Sequence, residues 1–219
     1  MAAERPALVA EMWRRLGHHT WLKGVGTTVF MTVFFIAYFE ALKAPFFAPT
    51  PVPITFVDRW IDFLPAALPI YASLWFYVSL PPAFITDRRQ LIGYGWAIGG
   101  LCLAGLTCFL LFPTATPAAL VDWDRYPGFT MLKGLDTNGN ACPSLHVATA
   151  VFSGLWLHRQ LRDMGAGLRL RLGNALWCGG IVYSTLATKQ HVAIDVIAGL
   201  ALGWLWQVAT ARWLGEGSR

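Results

Sequence analysis

Charge is what this chain has least of. Asp, Glu, Lys and Arg together make up 13% of its 219 residues, about half the ~25% usual in a soluble domain. So few charges cannot cover the surface of a soluble globule of this size, which argues against that class. Cysteine is scarce too: Cys102, Cys108, Cys142 and Cys178 form no CxxC pair, and three of them lie within apolar runs. That spacing supports neither a zinc site nor a disulfide framework. Internal repeats and low-complexity stretches are missing. The formal charge of +5 is not gathered into a basic patch between aromatics, which argues against nucleic acid as a partner.

What is present is apolar surface. Hydrophobic residues make up 56% of the chain and the mean hydropathy is +0.49. Eleven Trp and fourteen Phe are of the kind enriched at bilayer interfaces. Six apolar stretches stand out: Val25–Leu42, then about Pro65–Ile85, Leu91–Phe112, Pro143–Leu161, Leu172–Thr188 and His191–Trp213. Each is long enough to cross a ~30 Å hydrocarbon core at ~1.5 Å per residue. The pattern predicts an all-α integral membrane protein with six transmembrane helices in a bundle. Val25–Leu42 reads as an uncleaved helix, because it is long for a signal peptide and lacks a small-residue cleavage site.

Three regions follow. Residues 1–24 are a basic segment, 25–213 a six-helix catalytic domain, and 214–219 a tail. The longest polar stretch, 114–142, contains Asp122, Asp124, Arg125, Lys133, Asp136 and the turn-forming Asn138-Gly139-Asn140. Phe56–Phe63 reads as interfacial, with Asp58, Arg59 and Asp62 among aromatics. The N-terminus, the 87–90 turn, the 159–171 loop and the tail hold twelve of the seventeen Lys and Arg residues. Lys43, Arg59, Arg125, Lys133 and Lys189 fall on the other side. The positive-inside rule then puts both termini in the cytoplasm and the 114–142 loop on the opposite face. His146 and His191 open the fourth and sixth spans, so both return to that face.

Chemistry concentrates in two groups. The first is Cys142-Pro143-Ser144-Leu145-His146. Pro143 suits the first turn of a helix, whose positive N-terminus attracts anions. Ser144 adds a hydroxyl donor, and His146 is placed to give or take a proton. The bland alternative is a Ser-capped helix with a packing histidine. The second group runs from Ser184 to Asp195. On a helix, His191 and Asp195 share a face, and the carboxylate can hold one imidazole nitrogen while the other attacks. A carboxylate at membrane depth is costly unless partnered, which favours a His–Asp pair. The alternatives are a structural hydrogen bond or a metal site, but no fourth ligand offers itself. Lys189 lies near the mouth as a candidate phosphate-binding cation, with Arg125 and Lys133 from the loop above.

Other conspicuous residues read as structural. Glu40 is interfacial, His18 and His19 are solvated in the basic segment, and His158 lies a helix length from His146. Gly95–Gly99 and Gly199–Gly203 have GxxxG spacing, read as close helix packing.

Together, Pro143-Ser144-x-His146 and Ser184…His191-x-x-x-Asp195 resemble the type 2 phosphatidic acid phosphatase superfamily. The resemblance is closest to the branch containing inositol phosphorylceramide synthase and sphingomyelin synthase, which often carries Pro-Ser-Leu-His. It implies that His191 is a nucleophile forming a phosphohistidine and that Asp195 orients it. His146 becomes the acid that protonates the leaving alkoxide, and Ser144 a ligand of the phosphoryl oxygens. Neither metal nor cofactor is implied. Two departures stand out. Thr185 replaces the Arg usual after Ser184, leaving Lys189 to supply charge. The Lys-x6-Arg-Pro motif is missing before Pro143, leaving Arg125 and Lys133 as substitutes.

The favoured expectation is a lipid phosphate phosphatase, because the short chain leaves little material for an acceptor site. A phosphotransferase moving a head group between lipids is the alternative, and a scaffold or transporter with a structural His–Asp pair the non-enzymatic one. A lipid phosphate and the surrounding membrane lipids are the expected partners. Small size and short loops suggest a bacterial inner membrane with the site on the periplasmic face.

Overall fold

A computed structural model describes residues 4–117, 125–126, 129 and 140–213. Lys133 and most of the 114–142 loop lie outside them. The chain is mostly helical. Helix α1 (Glu4–Gly17) leads into α2 (Thr20–Lys43), and a short strand β1 (Thr50–Pro51) precedes α3 (Phe56–Trp60). Residues 65–85 hold a 3₁₀ turn and three short helices, α4 (Leu68–Ala72), α5 (Leu74–Tyr77) and α6 (Leu80–Phe84). Then come α7 (Arg88–Leu111), strand β2 (Thr114–Ala115), α8 (Leu145–Asp163), α9 (Leu168–Ala187) and α10 (Ala193–Trp213). The two strands pair in parallel, Thr50 with Thr114 and Pro51 with Ala115. They tie the exits of α2 and α7 together.

Among the described residues three helical stretches are long and apolar enough to cross a membrane: Thr20–Lys43, Arg88–Leu111 and Ala193–Ala211. Helices α8 and α9 have 19 and 20 residues but carry more polar side chains. The expected second span departs from a single helix, and its sequence explains why. Pro81 and Pro82 have no N–H to give the preceding turn. The Ser73 and Ser79 hydroxyls each donate to the carbonyl three residues back, both at 2.6 Å. Serine back-bonding of this kind competes with the helix ladder and bends it.

Helix α8 is the centre of the bundle, packed against both α9 and α10. Its Val147, Ala148, Ala150 and Phe152 are fully buried. The closeness of α10 comes from two glycines: a Cβ on Gly199 would lie 2.5 Å from the Ser144 carbonyl oxygen, and one on Gly203 2.5 Å from that of Ala148. The expected small-residue crossing therefore exists at this pair. At Gly95–Gly99 it does not. A Cβ on Gly95 would meet nothing within 4 Å, and one on Gly99 only the Phe30 ring at 3.7 Å. The tight glycines on α7 are Gly100, which receives Trp206, and Gly105, which receives Leu145.

The basic N-terminal segment is itself a helix. Leu8, Met12 and Leu16 of α1 pack on the cluster around Leu157, Leu161 and Ala166, while Glu11 lies 2.7 Å from both Arg14 and Arg15. Those two guanidiniums hold the Glu11 carboxyl down at about 2. His18 and His19 are exposed, as expected. Lys23 donates to the carbonyls of Arg15 (2.8 Å) and Ala83 (2.7 Å), fastening α1 and α2 to the end of α6.

The contrast between glycines sets a test. Gly203→Ala forces α10 away from α8 and should destabilise the protein by about 1–3 kcal/mol. Gly95→Ala should be neutral or slightly stabilising, because alanine is the better helix former. Thermal unfolding of the two variants in detergent would show the difference, and equal melting temperatures would contradict this account of the crossing.

Candidate active site

The first motif is built around a helix cap. Ser144 is the N-cap of α8, and its hydroxyl oxygen accepts the Val147 N–H at 3.2 Å. Pro143 therefore precedes the cap instead of occupying the first turn. The helix begins two residues later than expected because the serine, with extended backbone, supplies the capping oxygen. Ser144 is fully buried and is not part of the cavity wall that His146 lines. His146, in the first turn, stacks on Tyr71 with ring centroids 4.0 Å apart and planes 15° apart. Trp75 meets it edge-on at 6.3 Å. The imidazole is 9% exposed, and its Nε2 has no hydrogen-bond partner among the described residues.

The second motif also differs from a simple helical face. Helix α10 starts at Ala193, so His191 sits in the turn before it. Lys189, with φ of 54°, reverses the chain after α9, and the Thr185 carbonyl accepts the N–H groups of both Gln190 and His191 at 3.1 Å. Asp195 reaches back over the helix start. Its Oδ2 accepts the Val192 N–H at 3.0 Å and lies 3.4 Å from His191 Nδ1. That separation is a close contact, longer than a formed hydrogen bond. Asp195 is fully buried while the His191 side chain is 13% exposed, so the carboxylate backs the imidazole and leaves Nε2 on the open side.

Backbone bonds join the motifs. The Ser144 N–H donates to the Asp195 carbonyl at 3.1 Å, and Gly199 permits the approach. His146 and His191 consequently line one cavity of about 300 Å³, together with Asn140 and Thr149. The remaining wall is apolar and largely aromatic. Among the described residues, no three His, Cys, Asp or Glu side chains converge as a metal-binding group. Cys142 is next to the site, but burial and the Asp195 charge push its thiol up to about 11. A nucleophilic cysteine must be a thiolate, so the imidazoles are the better candidate nucleophiles here.

Of the expected phosphate-binding set, Ser144, Lys189 and Arg125 are not among the residues that line this cavity. The Lys189 ammonium donates to the Asp58 carbonyl at 2.8 Å and to the Ile61 carbonyl, which ties it to α3. Arg125 is exposed in the segment after β2. Lys133 lies outside the described residues.

Asp58 is the residue that sequence reasoning passed over. One oxygen accepts the Ala193 N–H at 2.7 Å, capping α10 from outside. The other accepts the Thr55 N–H and hydroxyl at 2.7 and 2.8 Å. A Thr-x-x-Asp cap is readable in sequence, but its second partner lies 135 residues away. With Leu64 N–H donating to the Ala187 carbonyl at 2.8 Å, residues 55–64 strap the turn that carries His191.

A family model for the PAP2 superfamily matches residues 59–209, which takes in α4 to α10 and both motifs. Members of that superfamily are phosphatases or phosphotransferases. No curated protein and no solved structure gives a match.

The strap has a measurable consequence. Asp58→Ala removes caps at two helix starts and should cost about 1–2 kcal/mol of stability. It should also lower turnover by letting His191 drift, whereas Asp58→Asn keeps an acceptor oxygen and should recover part of both. Melting temperature and turnover measured together check this; a wild-type profile for Asp58→Ala would refute the strap.

Proposed function

The chain belongs to the PAP2 superfamily, and from that premise and the site's geometry we propose that it is an integral-membrane lipid phosphate phosphatase working through a phosphohistidine on His191. In this reading it crosses a bacterial inner membrane six times, with both termini in the cytoplasm and the site on the periplasmic face. The Pro143-Ser144-Leu145-His146 spelling favours the branch with inositol phosphorylceramide and sphingomyelin synthases.

One observation carries the assignment. Two histidines from distant helix starts share a cavity that is mostly apolar, and among the described residues only His191 has a buried carboxylate behind it. That asymmetry divides the roles. Asp195 holds Nδ1 of His191 protonated, so Nε2 keeps a lone pair for attack. Attack on phosphorus forms the N–P bond and breaks the bond to the lipid oxygen. The departing oxygen takes a proton from His146, whose unpartnered Nε2 faces no competing acceptor. His146, now neutral, removes a proton from water, which attacks the phosphohistidine, releases phosphate and restores His191. This is the double-displacement logic of an activated nucleophile. The positive end of α8, with Arg125 and Lys133, supplies countercharge to the phosphoryl oxygens. Lys189 acts on the site through α3.

Phosphate release from a lipid phosphate in EDTA tests the reading. His191→Ala should lower it by on the order of 10³-fold or more, as loss of a nucleophile does. His146→Ala should lose roughly 10²-fold or more on alkyl phosphates and much less on an aryl phosphate, whose acidic leaving group needs no proton. Undiminished release by His191→Ala would sink the assignment. Release that depends on an added hydroxyl-bearing lipid would reassign the chain as a phosphotransferase.

A further inference from the structure

The cavity at the histidine pair does not end there. It continues into a second cavity of about 240 Å³, and the two share Phe30, Met31, Trp75, Val78 and Ile98. Along α2 the upper cavity is lined by residues 30–39 and the lower by residues 22–31. Along α7 the order reverses, as it must for an antiparallel neighbour, with Cys102 and Phe109 above and Leu91, Tyr94 and Gly95 below. The result is one apolar trough between α2, α7 and the broken helices α4–α6. From Tyr38 at the top to Lys23 at the bottom it runs fifteen helical residues, about 22 Å at ~1.5 Å each.

The two ends differ chemically. The top carries Asn140, His146 and His191. At the bottom Lys23 donates to two carbonyls and Ser79 to the Phe76 carbonyl. Aromatic contacts fasten α2 to the bundle on both flanks, Phe35 to Trp75 at 5.1 Å and Tyr38 to Phe109 at 6.4 Å. Between those flanks the space suits a single hydrocarbon chain. Only 6% of the apolar window of α2 is buried, against 44% for α7, so the trough has a wall that faces lipid.

We propose that this trough seats one extended hydrocarbon chain of the lipid phosphate whose head lies at His191, and that its floor at Gly26, Gly95 and Lys23 limits chain length. The proposal rests on the phosphatase reading above. An extended chain advances ~1.2 Å per single bond, so a hexadecyl chain reaches about 20 Å, to the level of Gly26, while an octyl chain ends far short of it.

Gly26 and Gly95 make the test clean. Both line the lower cavity, and a Cβ on either would meet nothing within 4 Å. Gly26→Trp and Gly95→Trp therefore fill the floor from opposite walls without a clash at the backbone. Phosphate release from octyl, dodecyl and hexadecyl monophosphates would be measured for each variant, with melting temperature as the check on folding and Gly26→Ala as control. Both tryptophan variants should lose about tenfold or more on hexadecyl phosphate while octyl phosphate turns over as in wild type. An unchanged hexadecyl-to-octyl ratio in either folded variant would overturn the proposal. A second measurement does not depend on turnover. Hexadecyl phosphate with a diazirine at its far end should label residues 22–31 even in His191→Ala, and labelling elsewhere overturns the tail seat. Loss of the phosphatase reading would show separately, as octyl turnover that survives in His191→Ala.

Discussion

The first turn of α10 is where the site is held. Helix starts leave backbone N–H groups without partners, and here they are satisfied by two carboxylates from different directions. Asp195 takes the Val192 N–H from within the helix, and Asp58 takes the Ala193 N–H from α3. The same Asp195 backs His191, and its carbonyl receives the Ser144 N–H. One residue therefore caps a helix, orients an imidazole and docks the start of α8. Burying so polar an assembly in an apolar bundle is costly unless its groups are paired. The backbone N–H groups at these helix starts are paired, while His146 Nε2, His191 Nδ1 and Asp195 Oδ1 are left without hydrogen-bond partners among the described residues.

Tight packing is confined to where geometry matters. Gly199 and Gly203 bring α10 against α8 at backbone distance, and in a bilayer such van der Waals contact is a principal source of helix association. The two histidine-bearing helix starts sit at the top of that crossing. Their separation is thus a consequence of backbone contact, with no flexible side chain interposed.

Three of the six expected spans, at Thr20–Lys43, Arg88–Leu111 and Ala193–Ala211, and the His191–Asp195 and Ser144–His146 groups were legible because hydropathy and local spacing are one-dimensional signals. The sequence misled where a local rule had a competitor. Pro143 suits a first turn, but Ser144 beside it is the better cap and displaces the helix start. Pro65–Ile85 has the apolar length of a span, but its prolines and back-bonding serines divide it into short helices. Lys189 stands near the phosphate by position, but a left-handed backbone turns its ammonium onto α3. Asp58 was out of reach because its partner at Ala193 is a long-range contact. The glycine pairs show the same limit: identical GxxxG spacing marks a crossing at Gly199–Gly203, but open space at Gly95 and an ordinary ring contact at Gly99.

That open space is as functional in its logic as the tight crossing. A phosphoryl-transfer site needs fixed geometry, since misplacement of a reacting group by ~1 Å costs on the order of 10²-fold. A lipid tail needs the opposite, a wall that yields so that a chain can enter from the side. On the proposed function, the two demands fall to different helices. α8 and α10 are locked by glycine contacts and a shared cap, while α2 touches the bundle through aromatic rings and leaves a trough behind them. The broken stretch at 65–85 belongs to both parts. Its Tyr71 stacks on His146 and its Trp75 faces Phe35, so the fixed site and the pliable wall meet on one short helical segment. In the proposed reading, a chain settling against Trp75 would press on the same segment that stacks on His146, coupling tail occupancy to the chemistry at the head.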